Sequence, residues 1–132
     1  MSAAYWLASA CKGIFATSSA FVGSIGTFQV HIDASKFHQE SGIIPQIFRA
    51  GKFKAAGAHN TALTDEQARD VLAEVNEVNE RFLAFISEQR PGVARESMEG
   101  QVFSAPRAVK AGLIDEEITN HEVLVDQLNR LS

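Results

Sequence analysis

GQVFSAPRAVKAGLIDE, residues 100–116, reads as a strand, a helix and a second strand in quick succession. Residues 101–103 have strand composition. Ser104 stands where a helix cap belongs, and Pro106 falls in the first turn, where its missing N–H costs nothing. Gly112 is placed to stop the helix, and Leu113-Ile114 reads as a second short strand. Strands that alternate with helices indicate an α/β protein.

The chain on either side follows the same alternation. Downstream, Thr119-Asn120-His121-Glu122 has the form of a capping box and predicts a last helix with Val123, Leu124, Leu128 and Leu131 turned inward. Upstream, a short helix is expected near 94–98, after Pro91-Gly92. Before it, Thr64-Asp65-Glu66-Gln67 is a second capping box. Val71, Leu72, Val75, Val78, Phe82, Phe85 and Ile86 follow it at spacings of three and four, which predicts one long amphipathic helix. RAGKFKAAGAHNTA, residues 49–62, carries two glycines and several small residues and reads as a loop with exposed lysines.

The first third of the chain is less regular. Residues 3–11 have helix-forming composition, with Ser2 placed to cap the start and Gly13 to end it. Residues 13–33, GIFATSSAFVGSIGTFQVHID, mix β-branched and aromatic residues with glycines and read as strand segments bent around Gly-Ser-Ile-Gly. SKFHQESG reads as a brief helix stopped by Gly42. IIPQIFRAG reads as a strand that Pro45 confines to an edge or a strand start.

The whole chain has 132 residues, 45% of them hydrophobic and 21% charged, with a formal net charge of -4. That length suits one domain with a real core. The acidic balance, with a pI near 5.5, provides no basic field for nucleic acid or an anionic membrane. The apolar start is interrupted by Lys12 and is too short to span a bilayer, so no membrane anchor is expected in this chain. The single cysteine, Cys11, and the lack of metal-ligand spacing fit a reducing, cytoplasmic setting and a protein without metal or cofactor.

Two residue types carry chemistry. A serine at the mouth of a helix, such as Ser2, is either a cap or a nucleophile whose oxyanion the free helix amides stabilise. A nucleophile needs a base. His31, His38, His59 and His121 read as solvent-facing or structural, whereas a lysine serves as base if burial keeps it neutral, at a cost of about 4 kcal/mol. Lys54, between Phe53 and Ala55-Ala56-Gly57, has apolar and small neighbours. Lys52 competes with it, and either lysine is also readable as a solvated loop charge. The glycine pair Gly23 and Gly26 is by itself a common turn spacing.

Three stretches together resemble one family. SAAYWLASACKGIFATSSAFVGSIGTF, residues 2–28, resembles the segment of the signal peptide peptidase A family that reads Ser-Gly-Gly-Tyr-Trp/Tyr, then a helix, two strands and Gly-Ser-Ile-Gly. These are serine-lysine peptidases of the Clp protease/crotonase fold, and some phage members process capsids. RAGKFKAAGA, residues 49–58, resembles the motif that carries the family's lysine, which falls on Lys54 and not on Lys52. GQVFSAPRAVKAGLIDE resembles the family's Gly-Arg-Val-Phe-Thr-Gly-x-x-Ala-x-x-x-Gly-Leu-Val-Asp-Glu signature.

The resemblance implies an α/β, partial Clp protease/crotonase-like fold and a serine endopeptidase with Ser2 as nucleophile and Lys54 as base. Ser24 would help orient the lysine amine. The amide of Ala3 would serve the oxyanion hole, with Gly23 and Gly26 beside the substrate. Extended apolar peptides, such as signal peptides or scaffold and capsid proteins, are the implied substrates, and a homo-oligomer is the implied assembly. Family members carry strands upstream of the nucleophile, including a glycine-rich loop that gives the second oxyanion N–H. Only Met1 precedes Ser2 here, so a single, N-terminally truncated peptidase domain over 1–132 is expected. Ala3-Ala4 also replaces the family's glycine pair, which narrows the turn's conformations.

The alternative from another class is a catalytically inactive half-domain that acts as an oligomerisation or structural module. A further variant has the α-amine of Ser2 as the base, and acyl-CoA chemistry on the related crotonase fold is supported by architecture alone.

Overall fold

The structure, a computed structural model, describes residues 2–58 and 61–131. The chain divides into two compact units, one of Met1–Thr27 with Val78–Ser132 and one of Phe28–Glu77. Short strands alternate with helices, and the long helix is present, so the fold is α/β as expected, consistent with part of a Clp protease/crotonase-like fold.

In the first unit, α1 (Ser2–Ser9) leads to β1 (Phe15–Thr17) and β2 (Phe21–Gly23). The last turns of α3 (Asp65–Gln89) follow, then a 3-10 turn at Arg95–Ser97, β3 (Val102–Ser104), α4 (Ala105–Lys110), β4 (Glu116–Ile118) and α5 (His121–Leu131). β1 pairs parallel to β4 with Ala16 opposite Glu117. β2 pairs antiparallel to β3 with Val22 opposite Phe103.

The 100–116 stretch forms strand, helix and strand, with one shift. α4 ends in a Schellman turn: Gly112, at φ 73°, donates to the carbonyl of Val109, and Leu113 donates to that of Ala108. Leu113 and Ile114 are therefore not a strand but a buried turn, and β4 starts two residues later. The ladder is delayed because the Asp115 side chain takes the Ile14 N–H at 2.7 Å, while the Asp115 amide donates to the Ile14 carbonyl at 2.8 Å.

The hydrophobic core lies in this unit. Tyr5, Ile14, Ile25, Phe82, Ile86, Val93, Met98, Phe103, Leu113 and Ile114 are buried together with Ala105 and Ala108. The single tryptophan, Trp6, stacks on Phe82 with ring centroids 4.4 Å apart. On α5 the cap is Asn120, not Thr119: its Oδ1 accepts from the Val123 amide at 3.0 Å. Val123 and Leu124 are half-buried, Leu128 is exposed, and the side chain of Leu131 lies outside the described residues.

The second unit contains α2 (Ser35–Glu40), the turns of 51–57 and the first turns of α3. The capping box at the start of α3 is formed as expected. Thr64 Oγ1 accepts from the Gln67 amide at 3.2 Å, and Gln67 Oε1 accepts from the Thr64 amide at 3.1 Å. Two expected strands are absent here among the described residues. Residues 27–33 form no strand: the pairing that continues β2 ends at the hydrogen bond from Gly100 to the Ile25 carbonyl. Residues 43–49 have no neighbouring strand, and Pro45 has no N–H to offer one. No apolar residue of this unit is buried among the described residues, and Phe28, Val30, Ile32, Phe37, Ile44 and Phe48 are strongly exposed. Leu72 on α3 is exposed, while Val71 and Val75 are half-buried.

Candidate active site

Ser2 is the first residue of α1 rather than a cap outside it. Ser2, Tyr5 and Ser9 recur at spacings of three and four, so they lie on one stripe of the helix. That stripe faces inward: Ser2 is half-buried, and Tyr5 and Ser9 are buried. Ala3 sits in the first turn, where backbone N–H groups have no intrahelical acceptor. A hydroxyl-bearing residue and an amide without an intrahelical acceptor are thus adjacent in the chain, which is what an oxyanion-stabilised nucleophile needs.

Tyr5 ties this helix down. Its hydroxyl donates to the carbonyl of Leu113 at 2.8 Å, and burial pushes the phenol up to about 12, an effect that Arg90 opposes and Asp115 reinforces. Arg90 in turn donates to both oxygens of Asp115, at 3.0 Å each. Burial works hardest against the Asp115 charge. The Arg90 hydrogen bond, the Ile14 amide and the Arg90 charge together outweigh it and hold the carboxyl below its ordinary range. The sequence marks Asp115 only as part of the Leu-Ile-Asp-Glu block, and nothing local to Arg90 points to their pairing.

Ser24 belongs to the same unit. Its amide donates to the Gln101 carbonyl at 2.7 Å, and Gly100 donates to the Ile25 carbonyl at 2.8 Å, so the β2–β3 pairing continues past the strand ends. A Cβ on Gly23 would lie 2.8 Å from the Gln101 oxygen, which explains the glycine before Ser24. Gly26 approaches Gly100, with 3.7 Å from an added Cβ to the Gly100 Cα. The Gln101 side chain braces this loop, accepting from the Glu99 amide at 2.9 Å and donating to the Glu96 carbonyl at 2.7 Å. α1 packs against β2, the strand that leads into Gly23 and Ser24.

Lys54 belongs to the second unit. It stands in the 51–57 turns, its amide donating to Gly51 at 3.1 Å, and is followed by Ala55 at φ 68°. Lys54 is exposed, as expected of a lysine in this loop, and lacks the cover that a neutral base needs, since no apolar residue of this unit is buried among the described residues. Lys52, its competitor, is committed elsewhere. Its ammonium pairs with Glu66 and lies 4.9 Å from the Phe53 ring centroid, and its carbonyl accepts from Gln67. Among the described residues Lys54 has no ion pair.

No histidine among the described residues hydrogen-bonds to a serine. His31 contacts the Thr61 carbonyl at 3.0 Å, outside any strand, and His38 meets the edge of Phe37. His121 is exposed at the start of α5, and His59 lies outside the described residues. Among the described residues no group of three or more His, Cys, Asp or Glu could hold a metal ion, and no helix is long and apolar enough to cross a membrane.

Residues 1–132 match the sequence model of Peptidase family S49. The chain is 28% identical to a protein of Methanocaldococcus jannaschii assigned as a protease, over 99% of this chain and 44% of that protein. It is 26% identical to the head-tail preconnector protein of Enterobacteria phage P21, over 93% of this chain and 25% of that protein. It is 23% identical to a protein of Enterococcus faecium assigned as a signal peptide peptidase, over 98% of this chain and 38% of that protein. The chain thus spans less than half the length of each of these relatives.

Proposed function

The chain belongs to peptidase family S49, and on that premise we propose that it is a serine endopeptidase with a Ser2–Lys54 dyad. The observation that carries this reading is the first turn of α1, where a half-buried Ser2 is followed by Ala3, whose amide has no acceptor within the helix. The commitment of Lys52 to Glu66 leaves Lys54 as the lysine of that loop without an ion pair among the described residues.

In this reading the neutral Lys54 amine takes the Ser2 hydroxyl proton as Oγ attacks the peptide carbonyl carbon. The C–N bond then breaks, the leaving amine takes that proton from the Lys54 ammonium, and an acyl ester remains on Ser2. Water gives a proton to Lys54 as it attacks the ester, and as the ester C–O bond breaks the Lys54 ammonium passes that proton to the Ser2 oxygen, releasing the acid and restoring the Ser2 hydroxyl and the neutral lysine. Ser24 orients the lysine amine, and Gly23 and Gly26 border the peptide. Lys54 needs cover to stay neutral, and a bound apolar peptide or a second copy of the chain supplies it. Extended apolar segments are the substrate class, in keeping with the name of the Enterococcus faecium relative. A lone, exposed Cys11 fits a reducing, cytoplasmic setting.

A second reading, an assembly module without catalysis, is favoured by the exposed Lys54 and the unburied apolar side chains of the Phe28–Glu77 unit. The preconnector relative is named for an assembly part. Hydrolysis of a quenched apolar peptide separates the two. The dyad reading expects turnover by the native chain that Ser2→Ala and Lys54→Met abolish and Lys52→Met retains. Self-association without turnover supports the module.

A further inference from the structure

We propose that Tyr5 is a positioning residue for Ser2, setting the rotation and height of α1 through its hydrogen bond to Leu113. The inference rests on the reading of Ser2 as nucleophile. α1 has eight residues, and Tyr5 stands one turn from Ser2 on the same inward stripe. Its hydroxyl, on a residue 4% exposed, is the only side-chain hydrogen bond from α1 to another element among the described residues. Ser9 turns back to the Trp6 carbonyl of its own helix at 2.7 Å.

The acceptor is held as firmly as the donor. Leu113 is fully buried, and its amide is fixed to the Ala108 carbonyl at 2.9 Å by the turn that ends α4. Arg90 reaches the neighbouring Gly112 carbonyl at 3.5 Å while gripping Asp115. Asp115 exchanges two hydrogen bonds with Ile14, which lies beyond the other end of α1. The 112–115 turn therefore holds the chain at two points, within α1 and just after it. Packing also holds the helix, with Trp6 stacked on Phe82 to within 5° of parallel, and the Tyr5 hydrogen bond adds to that packing a directional anchor at one fixed acceptor. The phenol stays a neutral donor throughout the working range, with its ionisation pushed to about 12.

Tyr5→Phe removes one oxygen and keeps the ring. The experiment measures kcat and KM on an apolar peptide, together with the rate at which a fluorophosphonate labels Ser2. Thr64→Ala, which loses a helix cap in the other unit, is the control for lost stability. The expected result is a fall of about 10- to 100-fold in kcat and in the labelling rate, with KM within about twofold and Thr64→Ala unchanged in both. Native rates in Tyr5→Phe, with Ser2 labelled in the unmodified protein, overturn the positioning role and leave the nucleophile intact. An equal loss in Thr64→Ala overturns it too, as a stability effect. No labelling of Ser2 in the unmodified protein overturns the nucleophile itself and this inference with it.

Discussion

Arg90 and Asp115 form a two-point ion pair, each guanidinium nitrogen 3.0 Å from its own carboxylate oxygen, with the Arg90 side chain 11% exposed and that of Asp115 42% exposed. The native carboxyl sits below its ordinary value, so the stability it contributes is present above that value and is lost as pH falls through the native one. Urea midpoints of the unmodified protein should begin to fall below about pH 4, the ordinary carboxylate value. Asp115→Asn should lack that part of the slope and cost about 1 kcal/mol at neutral pH, a figure kept low because water screens the exposed side of the pair. An identical acid limb in the variant contradicts the assignment.

Tyr5 is the only tyrosine in the chain, so absorbance at the phenolate band reports it alone. Burial raises its ionisation from 10.0 to about 12. The native protein should titrate near the higher value and the urea-unfolded protein near the lower. Because an acid is harder to ionise when folded, its contribution to stability is complete below the unfolded value and disappears as pH rises through the folded one. Coincident native and unfolded titrations would place the hydroxyl in water.

Gly23 cannot carry a side chain cheaply. At φ 107° an added Cβ would stand 2.8 Å from the Gln101 carbonyl oxygen and 3.1 Å from the Phe103 ring. Gly23→Ala should cost about 2–4 kcal/mol by strain and overpacking. Gly42→Ala is the comparison: φ is 73° there, but the space is open, so the cost is backbone strain alone, about 1 kcal/mol. Chemical denaturation of both variants measures the difference, and equal midpoints contradict the close approach of β2 to β3.

The reciprocal bonds between Thr64 and Gln67 are each worth about 1 kcal/mol. Thr64→Ala and Gln67→Ala should each lower the melting midpoint of α3, followed by far-ultraviolet circular dichroism. The double variant should lose less than the sum, because each single change already breaks the shared turn. Strict additivity contradicts a capping box.

The helices were legible because their signals are local. The α3 cap, the Gly42 and Gly112 stops and the Pro106 start are each read from a few adjacent residues, and each stands where the sequence places it. The strands were less so. Residues 43–49 have strand composition, but a strand exists only with a partner, and the partner is not written in the segment itself. Leu113-Ile114 failed differently, because a Schellman turn and a buried turn share the apolar composition of a short strand. Of the site, Ser2, Ser24 and Lys54 rested on a resemblance between motifs. Tyr5–Leu113 and Arg90–Asp115 join residues far apart in the chain, and no local pattern announces such pairs.

The most direct test of the dyad is to catch the acyl ester. The protein is mixed with an apolar peptide ester, quenched in acid during turnover, and the modified residue is located by fragment mass. One acyl group is expected, on Ser2, absent from Ser2→Ala and from Lys54→Met and present in Lys52→Met. Turnover by Ser2→Ala at the native rate, or an acyl group on another residue, would contradict it.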